Sequence, residues 1–321
     1  MDYRGPALLK ILAAIFASAL AIVSVSAVAG EKSVLRAMSW LAPEGQFQAL
    51  TSEPASGFRL IDDLPTSSDQ ILAGQIVFQT PTLLGGQAAK AGISCASCHV
   101  NGRDNPAFQF RGVSGGPGTA DVTHSFFSSH RGDGQFNPVA IPDLARPGKI
   151  SRKKMGELEI FVRGLIVEEF DGAEPNTATL DALVAYIRAL CAKCAGDPQD
   201  ISLALHIDRV DQALETAGEI ESREPELAYL LLSGARHQLS LIHERYAGRS
   251  LLRERKLLRA LSADFVELQS AIGAGNRYQQ LSRTIGNRLE EASKRLAKSE
   301  KWSLYNPERL ATALQIPTPD S

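Results

Sequence analysis

The sequence predicts an all-α protein in two parts, a loop-rich helical domain followed by an antiparallel helical bundle. Three observations predict it. Aromatic residues make up only 6% of the 321-residue chain, which suits helices better than sandwiches or barrels. From about residue 199 onward, apolar residues recur every three and four positions almost without a break, the period of one helix face. Before that, periodic segments bracket a Gly- and Pro-rich stretch over 100–150 with no long periodic run, and a loop of that length usually wraps something functional. Hydrophobic content of 44% and charged content of 22% are those of a chain with a proper core. The net charge is −2, and no basic stripe interleaved with aromatics offers itself to nucleic acid.

Residues 1–29 read as a leader. Arg4 and Lys10 precede an uncharged apolar run from Ile11 to Val23, and Ala27-Val28-Ala29 before Gly30 fits a small-x-small cleavage site. The other reading is a membrane anchor at the N-terminus, since Ile11 to Ala29 is just long enough to span. Both place the remainder outside the cytoplasm, in the periplasm, secreted or held at the inner membrane. Residues 30–64 carry Pro43, Gly45, Pro54 and Gly57 without sustained periodicity and read as a linker or wrapping segment.

The first domain, 65–195, is expected to hold three helices. Ser67–Thr80 starts on Ser68 and Asp69, Lys154–Phe170 carries Leu158, Val162 and Ile166, and Thr177–Cys194 carries Leu183, Val184 and Ile187. The second domain, 196–315, shows four stripes, represented by Leu203 to Ala217, Leu231 to Tyr246, Leu258 to Ile272 and Tyr278 to Leu296. Breaks fall at Arg223-Glu224-Pro225, at Gly248 and at Gly273 to Asn276, and Asn306-Pro307 opens a further helix. Short connections imply antiparallel neighbours.

The four cysteines form two Cys-x-x-Cys pairs. In Cys95-Ala96-Ser97-Cys98-His99 the thiols share one side of a helical turn and reach the vinyl groups of a porphyrin as thioethers. His99 then supplies the proximal axial ligand to iron. The motif therefore predicts one covalent haem c. A zinc ribbon would need the second pair about 15–20 residues away, and a redox dithiol would need a strand–helix setting. Cys191-Ala192-Lys193-Cys194-Ala195 lacks the histidine and reads as a local disulfide.

With these residues, Gly74 and Phe78, Pro142-Asp143-Leu144 and Leu183-Val184-Ala185-Tyr186-Ile187-Arg188-Ala189-Leu190 resemble a class I cytochrome c domain. More narrowly, the stretch 65–195 is similar to a haem domain of the bacterial dihaem cytochrome c peroxidase superfamily. The resemblance implies that the first and last helices cross beside the haem, with Gly74, Phe78 and Tyr186 at the crossing. Such peroxidases carry two attachment motifs and this chain has one. The reading is thus a single-haem carrier that transfers electrons to and from a redox partner protein, with the bundle docking that partner or making a homodimer. The alternatives are a peroxidase-like enzyme reduced by a partner and a haem-based sensor. The distal ligand is expected at Met155, with His130 and then His124 as alternatives. Arg103, Arg111 and Arg131 are candidate partners for haem propionates. His206, His237 and His243 lack carboxylates at metal-site spacing and read as solvated or capping side chains.

Overall fold

Periodicity, caps and breakers translate directly into helices in the computed structural model of the chain, which describes residues 35–58, 67–123, 126–146, 148, 154, 156–194 and 196–315. These residues are predominantly helical and belong to one compact unit. The wrapping segment carries α1 (Gln46–Thr51), and the first domain opens with α2 (Ser68–Phe78) and α3 (Gly86–Ala91). The one-turn α4 (Cys95–Cys98) follows, then α5 (Glu157–Gly164) and α6 (Thr177–Ala189). Ser67 caps α2 by accepting from the Gln70 amide, and Asn176 caps α6 by accepting from Thr179, each satisfying an orphan donor of the first turn. The expected helix Lys154–Phe170 is shorter: α5 starts at Glu157 and passes into a π-helical turn over Leu165–Glu169. Two small antiparallel pairs complete this part, β1 (Ser52–Glu53) with β4 (Gln199–Asp200) and β2 (Thr119–Ala120) with β3 (Val139–Ala140).

Helices α2 and α6 cross at Gly74. A Cβ there would lie 1.9 Å from the Ala182 carbonyl oxygen, so only hydrogen fits. Phe78 and Tyr186 close the crossing with ring centroids 5.0 Å apart, and both side chains are buried.

The bundle comprises α7 (Leu203–Ile220), α8 (Pro225–Arg245), α9 (Leu252–Ser270) and α10 (Asn276–Ser299), with α11 (Pro307–Leu314) behind it. Successive helices pack on one another and α10 returns to α7. The turns meet as an up-down bundle requires: the Gly273 amide donates to Glu221, and the Leu203 amide donates to Glu300. Asn306 caps α11 by accepting from Glu308 and Arg309.

One apolar core runs through both parts, since Ile76 and Phe78 of α2 belong with Leu231 and Leu239 of α8. At the junction a Cβ on Gly234 of α8 would lie 2.8 Å from Ile76. Residues 35–58 wrap this junction. Leu35, Leu41 and Leu50 are buried with Ala107 and with Leu304 and Leu310 from the chain's far end. Each fully buried leucine contributes about 1.5–3 kcal/mol. Among the described residues no helix is long and apolar enough to cross a membrane; the expected leader, 1–29, lies outside them.

Candidate functional site

The Cys-x-x-Cys-His stretch forms the single turn α4, and its geometry follows from serines on either side of the first thiol. Ser94 is the N-cap and Ser97 the third residue, and each side chain accepts from the other's backbone amide as a capping box. Asn105 locks the far end. Its side-chain amide donates to the Ser97 carbonyl at 2.8 Å, and its backbone amide donates to the Cys98 carbonyl at 3.0 Å. Sequence reasoning missed this support, because serine stands where the usual capping-box pattern has Glu or Gln. Cys95 and Cys98, three apart on one turn, project to the same side.

Both thiols are free, whereas the equally spaced Cys191 and Cys194 form a disulfide. Burial pushes the Cys95 thiol up to about 12, and burial together with Cys95 pushes Cys98 up as well. Such thiols are protonated near neutrality, unlike the thiolate of a disulfide oxidoreductase.

His99 follows at the end of the turn. Its Nδ1 lies 3.0 Å from the carbonyl oxygen of Pro142. A carbonyl only accepts, so Nδ1 carries the proton and Nε2 keeps its lone pair. Burial lowers the His99 pKa to about 4, against the opposing pull of the Pro142 hydrogen bond and of Asp104 and Asp143. The imidazole is thus neutral, oriented by a carbonyl and free to ligate through Nε2, the arrangement that metal-bound histidines adopt.

Pro142 is held in turn by its neighbours. Arg103 donates to Asp143 at 2.8 Å, the Leu144 amide donates to Gly102, and the Asp143 carboxylate also accepts from the Ala145 amide. Arg103, a candidate propionate partner, therefore has Asp143 as its partner here. Arg131 pairs with Glu168 and Glu169, and Arg111 is exposed.

Of the distal candidates, Met155 and His124 lie outside the described residues. His130 is described and largely exposed, with Nδ1 3.1 Å from Asp171. Burial raises the Asp171 pKa, but hydrogen bonds from Ser129 and His130 outweigh it and hold the carboxyl below its ordinary value. That pairing leaves Nε2 of His130 as its available nitrogen. An aromatic cluster stands nearby in sequence: Phe127 packs on Phe110 at 5.5 Å and on Phe170 at 5.4 Å.

Among the described residues no three His, Cys, Asp or Glu side chains form a group that could hold a bare metal ion. His206, expected to be solvated or capping, is instead buried, with Nδ1 3.0 Å from Gln238 Oε1. Its place three residues after Leu203 and four before Val210 puts it on the buried face of α7, a signal the sequence carried, whereas its partner Gln238 comes from the facing helix α8. No family model, no curated protein and no solved structure matches the chain.

Proposed function

We propose that the chain is an exported single-haem c-type cytochrome that transfers electrons outside the cytoplasm. Cys95 and Cys98 hold haem c as thioethers, and His99 ligates its iron through Nε2. The observation that carries the reading is the His99–Pro142 hydrogen bond, which fixes the tautomer and aims the free lone pair away from the backbone. The two free thiols on the same turn fit the attachment chemistry. The haem, when bound, supplies a one-electron iron couple. The chain's own part is to orient the imidazole and to present the thiols from a capped turn. The α2–α6 crossing at Gly74, Phe78 and Tyr186 supports a class I cytochrome c domain over 65–195, with the bundle over 196–315 as the surface for a redox partner or a second copy.

Met155 is the proposed distal ligand, with His130 the alternative. The Cys191–Cys194 disulfide supports an oxidising compartment, the periplasm. The test is production in a host competent for cytochrome c maturation. The expected protein is coloured, carries added covalent mass and cycles reversibly in a redox titration; a colourless protein of unmodified mass removes the proposal. In such a preparation the reduced Met155→Ala variant is expected to bind carbon monoxide and the parent not to. Binding to the parent instead would replace the carrier by an open-site enzyme.

A further inference from the structure

A cavity of about 630 Å³ lies between the wrapping segment, the attachment turn and the bundle. Its wall includes Leu50, Ala96 and Val100 on the apolar side and His206, His237 and Gln238 on the polar side. Cys95, Cys98 and His99 are not part of its lining, so it is separate from the attachment site. Its size falls within the range of about 300–1,000 Å³ typical of small-molecule sites.

We infer that this cavity binds an uncharged aromatic ring bearing hydroxyl or carbonyl oxygens, the quinol and quinone class. Charge excludes most other classes. Glu53 is paired with Arg209 and Arg36 with Glu244, and Arg245 donates to the carbonyls of Leu50 and Leu304 while lying over the Tyr305 ring. The other charged lining residues, Glu44 and Asp104, are exposed. An anion would meet only Arg245, whose guanidinium is already taken up by those two carbonyls and the ring, and a cation would find Glu44 and Asp104 in solvent, so desolvating either charge is costly.

The polar wall offers neutral hydrogen-bonding groups instead. Gln238 Oε1 takes the Nδ1 proton of His206, so Nε2 of His206 is an acceptor suited to a ring hydroxyl. It has no hydrogen-bond partner among the described residues. His237 is likewise without one, and desolvation, helped by Arg36, lowers its pKa to about 3 and keeps it neutral. A neutral imidazole offers one donor and one acceptor, to a carbonyl or a hydroxyl as the ligand requires. Leu50 and Val100 cover ring faces. Ala96 and Ser97 belong to both the cavity wall and the attachment turn, so the cavity abuts that turn.

The test is calorimetric titration of the mature full-length protein with duroquinone and with its reduced form. Saturable one-site binding is expected, weakened at least tenfold by His206→Phe and by His237→Phe, with tetramethylbenzoate binding at least tenfold more weakly than either ring. Ala49→Phe, which fills the cavity from its lining without touching the histidines, is expected to abolish binding in a protein whose circular dichroism is unchanged. Absence of saturable binding, affinity indifferent to all three substitutions, or equal affinity for the carboxylate would overturn the inference. The absorption spectrum of the same sample reports haem attachment separately, so a colourless protein that binds the ring contradicts the proposed function and not this site.

Discussion

The imidazole of His99 and the carbonyl of Pro142, 43 positions apart in the chain, meet at 3.0 Å. Everything around that contact serves to hold it: the capped turn on one side, and the Arg103–Asp143 pair with the Leu144–Gly102 hydrogen bond on the other.

Replacing Cys95 and Cys98 together by serine is expected to leave the protein without covalently bound pigment. Mass spectrometry after acid–acetone extraction reads the result directly. Added mass surviving in the double variant would remove the attachment role of this pair.

The other cysteine pair serves as its control. Converting Cys191 and Cys194 to alanine opens a very short loop and is expected to cost about 2 kcal/mol on the chain-entropy argument. Pigment content should be unchanged. Loss of pigment in this variant would mean that the second pair takes part in attachment.

Asp143 couples the loop at Pro142 to Arg103 across a largely buried ion pair. Asp143→Ala strands the guanidinium and is expected to destabilise by about 1–3 kcal/mol in urea unfolding. The double change Arg103→Met with Asp143→Leu should recover much of that loss, because a mostly buried pair can be replaced by apolar groups. A single variant as stable as the parent would show that the pair does not hold this loop.

Gly74 sits where a Cβ would meet the Ala182 carbonyl oxygen at 1.9 Å. Gly74→Ala is expected to cost about 3 kcal/mol or more, since the obstacle is backbone. Gly164, within α5, has open space around its Cβ position, so Gly164→Ala should gain about 0.5–1 kcal/mol. Equal responses at the two glycines would contradict the close α2–α6 approach.

Acid should weaken the fold through His206. Its pKa is held well below 6.5 in the folded protein, by burial first and then by Arg209 and Arg245, whereas in the unfolded chain it titrates near 6.5. The unfolded state therefore binds the extra proton below about pH 6.5, and stability falls as the pH drops through and below that value. One such group contributes a slope of up to about 1.4 kcal/mol per pH unit. Urea midpoints between pH 7 and pH 5 should show a shallower slope in His206→Gln than in the parent; identical slopes would count against a buried neutral imidazole.

Local structure was legible where a few adjacent residues settle it. The stripes from Leu203 to Leu296 and the breaks at Pro225, Gly248 and Gly273 marked out four helices that the structure contains. Ser67, Asn176 and Asn306 cap their helices by accepting from amides two or three residues on. The expected start at Lys154 failed because the approach to α5 turns at Gly156, which has a positive φ of 83°; periodicity alone carries no signal for such a turn.

By itself, then, the order of residues determined the helices, the starts capped by Ser67, Asn176 and Asn306 and the Cys-x-x-Cys-His spacing, because each depends on neighbours within a turn or two. The expected ends at Lys154 and Cys194 gave way to Glu157 and Ala189. Tertiary structure alone decided that Pro142 would face His99, that His206 would be buried against Gln238, and that residues 35–58 would close over the junction of the two parts. Those outcomes depend on which faces meet across long stretches of chain. That pairing is chosen by the packing of the whole core and leaves no trace in any local window.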